Sequence, residues 1–592
     1  MPATLFITYA LAPMPVEVVM NGYMHKLVLG GLVFIFAVGP CAALHWDTEA
    51  VYDNNIGQGD CTLVSGAGSI PQVVYGAAGG LRLATRGQDT PWPYVSCVPC
   101  GPYGGLSSAA FDGAHHLGIG YVYSDGSTDE VRYATNASGS WVTATLGSLG
   151  WLTDFVALAF DSANIPWVAF SDGQFAPSIR VMMRSPTSGW QTQATFADIG
   201  DNTGPAIAIS ADNTVSVGFV DANLGLVKVA RRPSSGGWTV ETLDGSAANP
   251  GQGYTSLAID PSGRPVIAYF QGPLVGGMSL KYGVRTQSGW QTEQVLQMPA
   301  SGGCQCSVAV APDGTPWIAY TDSNDSSLAC ARKAGGTWVH ETVDNLVTAD
   351  RLSLKVDSHG GAYIAYCDQE WGNVKFAGGT PVRSLADIKS LPDGVPVRCE
   401  GLVSTTRDST NGQDFTDRHY VQASNRSMGI LVYYGNTPDL LERDTYVTVT
   451  GMTGHVNGEM AIVSPTISPG QSADTSKPLG MTNKALGGGP FAYSPGPPIV
   501  GQQGMDGAFG LNNIGLLVRV WGSVVVLDPG TPKKWFKIDD GSGYRVKCLL
   551  PAGGNPPSGV VALTGISSCE DIGSGIVNWI QDGPVLRLRA SD

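Results

Sequence analysis

Hydrophobic and polar residues alternate in short runs through residues 45–380, and Gly, Pro, Asp and Ser separate these runs. The stretch from 256 to 295 shows the pattern most clearly. Ser256–Ile259 alternates, Asp260-Pro-Ser-Gly follows, Pro265–Tyr269 alternates again, and Leu280–Val284 and Trp290–Val295 come after it. Alternation with a period of two is typical of a strand with one buried face, and the separating residues favour turns. The stretch therefore predicts four short β-strands joined by turns.

This four-strand pattern occurs in seven consecutive copies. Asp161–Phe170 and Asp357–Tyr366 match Asp260–Tyr269, and a tryptophan returns every 46 to 52 residues. The series is Trp46, Trp92, Trp141, Trp190, Trp238, Trp290 and Trp338. Four strands per copy at this period indicate a β-propeller, because no copy can bury its own face and the copies must stack radially. Residues 44–380 are therefore predicted to form seven blades.

The two ends of the array complement each other. The seventh copy stops after its third strand, at Asn373–Ala377, without a tryptophan-led fourth strand. Trp46–Val51 matches the fourth strands Trp290–Val295 and Trp338–Val343. We expect the N-terminal strand to complete the last blade, because closure of the ring removes two exposed strand edges.

The repeat resembles a family of propeller repeats in exported bacterial proteins, with the pattern S-L-A-x-D-x-x-G-x-P-x-I-A-Y-x-D, then L-K-Y-A, then G-W-x-x-E-T-V. Ser256–Tyr269, Leu280–Tyr282 and Gly289–Val295 carry the resemblance. It implies a propeller fold and export from the cell, and it implies no specific activity.

A weaker duplication follows Pro381. Val397–Val403 matches Val518–Val524, and Val447–Gly451 matches Val561–Gly565. Each half is predicted to be a five-strand meander that resembles the OB-fold, a small β-barrel. The predicted barrels cover residues 384–465 and 511–592, and a Gly/Pro-rich connector at 466–510 is expected to pack partly on the second. The predicted fold class is therefore all-β, with a seven-bladed propeller closed by its N-terminal strand and two small OB-like barrels.

Residues 1–43 have the order of a secretory signal peptide. Met24-His-Lys26 is followed by the apolar run Leu27–Val38 and by small residues up to Ala43. Translation starting at Met24 and an uncleaved anchor are alternatives that stay open. No other segment is long and apolar enough to span a bilayer. We therefore expect a secreted, cell-surface or periplasmic protein.

Export changes how the cysteines are interpreted. The chain has 11 cysteines, and cleavage after Ala43 would remove Cys41 and leave an even number. Disulfides are the usual outcome in an oxidising compartment, whereas the spacings do not fit a standard zinc site. The disulfide candidates are Cys61, Cys97, Cys100, Cys304, Cys306, Cys548 and Cys569.

Composition excludes some classes of protein. Charged residues make up 14% of the chain, the net charge is −15, and 79 residues are glycine. This composition excludes a disordered chain and a coiled coil. The acidic balance also argues against a protein that coats nucleic acid.

Polar residues recur where the second strand of a copy ends. Four copies place an aspartate two residues past the strand-ending aromatic residue, and the fifth has a glutamine there. These candidates are Asp172, Asp221, Gln271, Asp322 and Asp368. Each aspartate is expected to bond its own loop backbone in an Asx-turn. The alternative is a ring of carboxylates that binds a polar ligand or a cation, for which calcium is a possible ion. Apart from this calcium alternative, we expect no cofactor and no metal site.

The second barrel holds a local cluster of basic and aromatic candidates, Arg519, Trp521, Trp535 and Lys537. Single-strand nucleic-acid binding uses this combination of residue types. However, residues 381–592 carry 17 Lys and Arg against 19 Asp and Glu, so no strongly basic groove is expected.

The sequence favours a non-catalytic binding or scaffold protein outside the cytoplasm, whose propeller recognises a glycan or a surface protein. No GxSxG, HExxH or P-loop motif is present. Two alternatives stay open. One is a glycan-acting hydrolase or lyase on the propeller, and the other is extracellular nucleic-acid binding by the barrels.

Overall fold

The computed structural model describes most of the chain from residue 44 to residue 588. The described ranges are 44–52, 60–65, 70–77, 80–86, 92–101, 105, 107–149, 155–172, 177–200, 203–244, 253–272, 277–298, 305–322, 326–345, 349–368, 372–409, 412–413, 415, 417–435, 441–494, 498–505, 510–551, 554–569 and 585–588. The expected signal peptide lies outside them. Within these ranges no helix has the length and apolar character needed to cross a membrane.

Seven antiparallel four-stranded sheets form within the described part of the propeller. Their strands, from first to fourth, are as follows: blade 1, Cys61–Ser65, Pro71–Ala77, Gly80–Thr85 and Tyr94–Pro99; blade 2, Ser107–Phe111, Leu117–Ser124, Asp129–Thr135 and Val142–Leu149; blade 3, Val156–Phe160, Pro166–Asp172, Ser178–Ser185 and Gly189–Ala197; blade 4, Ala206–Ile209, Val215–Asp221, Leu226–Arg232 and Thr239–Asp244; blade 5, Gly253–Ile259, Pro265–Gln271, Met278–Thr286 and Gly289–Met298; blade 6, Cys306–Val310, Pro316–Asp322, Ser327–Ala334 and Thr337–Asp344; blade 7, Ala349–Val356, Ala362–Asp368, Asn373–Pro381 and Leu44–Tyr52. A short strand, Thr203–Gly204, adds to blade 5 by parallel pairing. The predicted seven-bladed propeller is confirmed.

The blades form a closed ring. The first strand of each blade packs against the first strand of the next, and that of blade 7 packs against that of blade 1. The N-terminal strand Leu44–Tyr52 pairs antiparallel with Asn373–Pro381 and places Trp46 opposite Gly379. A side chain at Gly379 would collide with the Trp46 ring, so glycine is needed there. The predicted closure of the last blade by the N-terminal strand is confirmed.

The second strand of each blade is covered on both faces by its neighbours. Every residue of Pro265–Gln271 and of Val215–Asp221 is buried. Strands buried on both faces are continuous apolar runs rather than alternating ones, which explains the I-A-Y segment of the repeat. One aromatic residue per blade is almost fully buried near the end of this strand: Tyr75, Tyr121, Phe170, Phe219, Tyr269, Tyr320 and Tyr366.

Several recurrent tryptophans hold adjacent blades together. The Trp46 indole donates to Glu341 Oε2 of blade 6 (3.2 Å), and the Trp238 indole donates to the Gln193 carbonyl of blade 3 (3.1 Å). Trp190 and Trp338 meet tyrosine rings of the preceding blade edge to face, at centroid distances of 5.1 and 5.5 Å. These four residues therefore act in packing between blades.

The serine of the S-L-A segment connects the inner strands. Four serines each accept a hydrogen bond from a backbone N–H in the first strand of the following blade. The pairs are Ser108 with Leu158, Ser256 with Val308, Ser307 with Leu354 and Ser353 with Leu63, at 2.9–3.1 Å. Each serine hydroxyl thus supplies a hydrogen-bond acceptor for a backbone N–H of the neighbouring inner strand.

The C-terminal third forms two closed five-stranded barrels. The strands of barrel 1 are Pro396–Ser404, Arg418–Ala423, Gly429–Tyr433, Thr445–Val456 and Glu459–Ser472. Those of barrel 2 are Leu517–Leu527, Trp535–Asp539, Arg545–Leu549, Val560–Ser568 and Val585–Leu588. In both, the strands follow the order first, second, third, fifth, fourth, with the third and fifth parallel. The prediction of two small barrels is confirmed. The predicted meander order of their strands was wrong, because the fourth strand pairs with the first and the fifth rather than with the third.

The connector packs on both barrels. Leu479–Gly480 pairs in parallel with the first strand of barrel 2, and Leu486 lies in the core of that barrel. The hairpin Phe491–Ser494 with Val500–Gln502 reaches barrel 1, where the Gln502 side chain accepts the Met460 N–H (2.7 Å). The remaining short elements are the helix Leu385–Ile388, the 3-10 helix Asn483–Ala485 and the pair Asp408–Ser409 with Gly412–Gln413.

A buried polar cluster joins the two barrels. Glu459 of barrel 1 is fully buried and accepts hydrogen bonds from the Tyr420 hydroxyl (3.1 and 3.2 Å) and from the Ser568 hydroxyl of barrel 2. Arg587 of barrel 2 lies 3.9 Å from the same carboxylate and donates to Ser568 (2.8 Å). Burial and the Glu459 charge raise the pKa of Tyr420, which therefore stays a neutral donor.

The cysteines depart from the disulfide expectation. Cys97 and Cys548 are thiols, and so are Cys330, Cys367 and Cys399. Cys548 faces the core of barrel 2, and burial raises the pKa of the Cys97 thiol to about 12. Strand geometry thus sends these side chains into separate packed interiors rather than toward one another. The other candidates are Cys61, Cys100 and Cys569, whose sulfurs lie against backbone carbonyls, Cys306, which is buried in blade 6, and Cys304, which lies outside the described residues.

Replacing Ser307 with alanine tests the connection between inner strands. Ser307→Ala removes the acceptor of the buried Leu354 N–H, so the free energy of unfolding is expected to fall by about 1–3 kcal/mol. Chemical denaturation measures this change, and Ser234→Ala, at an exposed position, is the control. Equal stability of the two variants would show that the hydrogen bond contributes nothing.

Candidate functional site

A cavity of about 310 Å³ lies on the axis of the propeller. All seven blades line it, through residues in or just before their first strands: 60–62, 108–110, 155–158, 205–207, 255–257, 305–308 and 351–355. A cavity shared by every blade depends on the closed ring and on the small residues of the inner strands. It has the size of a site for one small ligand group.

Arg351 stands at the end of the cavity where the inner strands begin. It lies in a β-bulge between Asp350 and Ser353 and has φ 53°, a left-handed conformation that non-glycine residues rarely adopt. Its guanidinium lies over the ring of Phe155, at 5.1 Å from the centroid, although Phe155 belongs to blade 3. Its carbonyl accepts a hydrogen bond from the Cys61 thiol of blade 1 (3.3 Å). The bulge thus turns a cation toward an aromatic ring that lines the same cavity.

Lys355 is the second cation of the cavity. The β-ladders align it with a small residue in each of the other blades: Val64, Ala110, Ala159, Ala208, Ala258 and Ala309. Its side chain is exposed to the cavity, and among the described residues it has no hydrogen-bond or ion-pair partner. Enclosure by the inner strands lowers the pKa of its ammonium, because desolvation disfavours the charged form.

The charges of this cavity differ from those of the chain. The chain as a whole has a net charge of −15. The charged residues among the described lining are Asp60, Arg351 and Lys355, which sum to one positive charge. The described lining of the cavity therefore carries a net positive charge in a chain that is acidic overall.

The aspartates that end the second strands pair within their own blades. Asp172 forms an ion pair with Arg180, Asp221 with Lys228 (2.6 Å) and Asp368 with Lys375 (3.0 Å). Each base lies on the third strand, opposite the buried aromatic residue of the second. Asp221 also accepts the Leu224 N–H (3.0 Å), as an Asx-turn predicts. Gln271 and Asp322 occupy the same position in blades 5 and 6.

These ion pairs give no support to a calcium ring. Among the described residues, no group of three or more His, Cys, Asp or Glu side chains is placed to hold a metal ion. The carboxylates of Asp172, Asp221 and Asp368 are already compensated by basic side chains. Their partners are the lysine or arginine of the L-K-Y-A segment, a pairing that only the strand register reveals.

The candidates of barrel 2 divide between neighbouring strands. Trp535 and Lys537 lie on the second strand, where Lys537 is opposite Lys547 and the Lys547 ammonium lies over the Trp535 ring at 5.6 Å from its centroid. Arg519 and Trp521 are exposed on the first strand, opposite residues of the fourth strand. The structure therefore brings Trp535 and Lys537 together, and it places Arg519 and Trp521 beside the other edge of the first strand.

Neither Arg351 nor Lys355 stands out in the sequence read alone. A lysine in an alternating strand usually marks the solvated face, and an arginine next to it adds nothing unusual. The available signal was the departure from the repeat, because Lys355 stands where six other copies have alanine or valine. The structure shows that this exceptional residue lines the axial cavity.

Comparison with known proteins gives structural similarities only. No family model and no curated protein matches the chain. A streptogramin B lyase structure is similar over 57% of this chain and 98% of its own, with 10% identity and a TM-score of 0.40. AofleA from Arthrobotrys oligospora is similar over 51% of this chain and 90% of its own, with 12% identity and a TM-score of 0.36. A six-bladed lectin from Aleuria aurantia, described with a fucose recognition mode, covers 50% of this chain and 97% of its own, with 14% identity and a TM-score of 0.33. Similarities of this size carry no information about function, which must be inferred from the site itself.

Replacing Asp221 with asparagine tests whether these carboxylates are structural. Asp221→Asn leaves the largely buried Lys228 ammonium without its counter-charge, so the unfolding free energy is expected to fall by about 2 kcal/mol. Calcium is expected to change the melting temperature of neither protein. Thermal denaturation with calcium and with chelator measures both effects, and Asp474→Asn, at an exposed position, is the control. Calcium-dependent stabilisation that Asp221→Asn abolishes would support the ligand ring instead.

Proposed function

We propose that the protein is a non-catalytic binding protein that acts outside the cytoplasm and holds part of a glycan in the axial cavity of its propeller. The observation that carries this proposal is the cavity itself, which combines two cations with an aromatic ring and with Gln305 and several hydroxyl side chains. Sugars are bound by hydrogen-bonding groups and by stacking on flat side chains. The closed ring supplies a rigid frame for these groups, which favours recognition without large rearrangement.

The lining supports binding better than hydrolysis. Glycoside hydrolysis commonly uses two carboxylates on opposite sides of the bond that breaks. Among the described lining residues, Asp60 is the single carboxylate. The hydrolase alternative therefore has no observation in its favour at this site.

The backbone of Arg351 also supports a role in function. A non-glycine residue in the left-handed region costs about 1 kcal/mol or more. Such strain is found preferentially at ligand sites, where a side chain must be aimed in a particular direction. At Arg351 the strained bulge directs the guanidinium over Phe155 inside the cavity.

A second candidate function rests on barrel 2. Trp535, Lys537 and Lys547 form a basic and aromatic group on the outer face of its second and third strands, and Trp521 is 47% exposed nearby. Such a face suits stacking and phosphate contacts with a single-stranded nucleic acid. The near-neutral charge of residues 381–592 favours the glycan proposal over this one.

Replacing Arg351 with glycine separates function from stability. Arg351→Gly removes the guanidinium and relieves the left-handed strain, so glycan binding is expected to be lost while the melting temperature stays unchanged or rises. Arg426→Gly is the matched control, because Arg426 has φ 58° in barrel 1, away from the cavity. Glycan-array binding and thermal denaturation of the purified protein measure both effects.

Two results would contradict the proposal. Glycan binding that survives Arg351→Gly would place the ligand elsewhere. Absence of glycan binding, together with salt-sensitive binding of single-stranded DNA that Lys537→Ala abolishes, would favour the second candidate function.

A further inference from the structure

We propose that the axial cavity recognises an acidic sugar, with the Lys355 ammonium binding the carboxylate of a uronic acid residue. This inference deepens the proposed function and rests on it. The main observation in its favour is Lys355, which lines the axial cavity. The equivalent position of every other blade has alanine or valine.

The repeat shows that Lys355 is not required by the fold. Six blades pack with a small residue at this position, so alanine satisfies the inner strand. An ammonium group there gives the propeller no packing that the other blades need, which points to a role toward a ligand.

The electrostatics of Lys355 favour an anionic occupant. Among the described residues, no carboxylate, carbonyl or hydroxyl group lies within hydrogen-bond distance of its ammonium. Burial alone accounts for its lowered pKa, with no neighbouring charge opposing the effect. A lysine that lines the cavity without a counter-charge among the described residues can bind an anion through charge-assisted hydrogen bonds.

The size and charge of the cavity identify the class of anion. Among the described lining residues, Asp60, Arg351 and Lys355 sum to one positive charge, which matches the single negative charge of a carboxylate. The volume of about 310 Å³ accommodates a sugar-sized group and excludes a folded domain. Both properties fit one uronic acid residue of a glycan.

The order of the side chains sets the orientation of the ligand. Arg351 and Phe155 lie where the inner strands begin, and Lys355 lies four residues further along the strand, roughly 12 Å from Arg351 at the rise of an extended chain. A uronic acid carboxylate bound at Lys355 would place the neighbouring sugar of the glycan beside Phe155 and the Arg351 guanidinium.

The test compares uronic acid oligosaccharides with their carboxyl-reduced counterparts, which differ only in the charged group. An array of such pairs is screened with the purified protein, and calorimetry follows on the tightest pair. The acidic member is expected to bind at least about tenfold more tightly than the reduced one. Free glucuronate and acetate are included, to separate recognition of a sugar from recognition of any carboxylate.

A variant at Lys355 tests whether this residue causes the preference for the acidic oligosaccharide. Lys355→Ala installs the residue common in other blades, so its melting temperature is expected to match that of the unmodified protein. Its affinity for the acidic oligosaccharide is expected to drop to that of the reduced one, while its affinity for the reduced one is unchanged. Lys477→Ala, at an exposed lysine in the connector, controls for the loss of one positive charge.

The outcomes distinguish this inference from the proposed function. Equal binding of acidic and reduced oligosaccharides, with both lost in Arg351→Gly, overturns the carboxylate site and leaves the glycan proposal standing. A preference for the acidic member that Lys355→Ala does not change overturns the role of Lys355. Equal affinity for acetate and the acidic oligosaccharide overturns the sugar class, and absence of saccharide binding overturns both proposals.

Discussion

Ring closure is the constraint on which the propeller depends. Each blade buries its second strand between two neighbours, so an array with open ends would leave two of its apolar faces in water. Here the ends are joined by one strand, Leu44–Tyr52, which pairs with Asn373–Pro381 and anchors Trp46 to Glu341 of the preceding blade. The first and last segments of the propeller are thereby held in a single sheet, and unfolding of any blade exposes surfaces of its neighbours.

The same closure creates the axial cavity and limits what can line it. Seven inner strands converge on one axis, and the serine hydrogen bonds between them require a close approach that small residues permit. Among the described lining residues, both cations, the bulged Arg351 and the long Lys355, come from blade 7. The symmetry of the repeat explains the fold, and the departure from symmetry in one blade creates the chemistry of the site.

The architecture was encoded in patterns that a single sequence displays. A fixed repeat length, an incomplete last copy and its missing strand at the N-terminus together predicted seven blades and their closure. The strand order of the barrels was not predictable in this way, because nothing in a local pattern shows that a fourth strand returns to the first. The ion pairs of Asp172, Asp221 and Asp368 were missed for a related reason, since their partners are set by cross-strand register. The disulfide expectation followed from the inferred export, and it did not account for strands that direct Cys97 and Cys548 into separate interiors.

A ligand in the axial cavity is expected to contact the two cations of blade 7, Arg351 and Lys355. A crystal structure of the protein with a bound uronic acid oligosaccharide would show these contacts. We expect density for a uronic acid residue in the cavity, with its carboxylate at the Lys355 ammonium and the neighbouring ring beside Phe155 and Arg351. Density on the outer strands of the blades or on the face of barrel 2, with the cavity empty of sugar, would contradict this expectation.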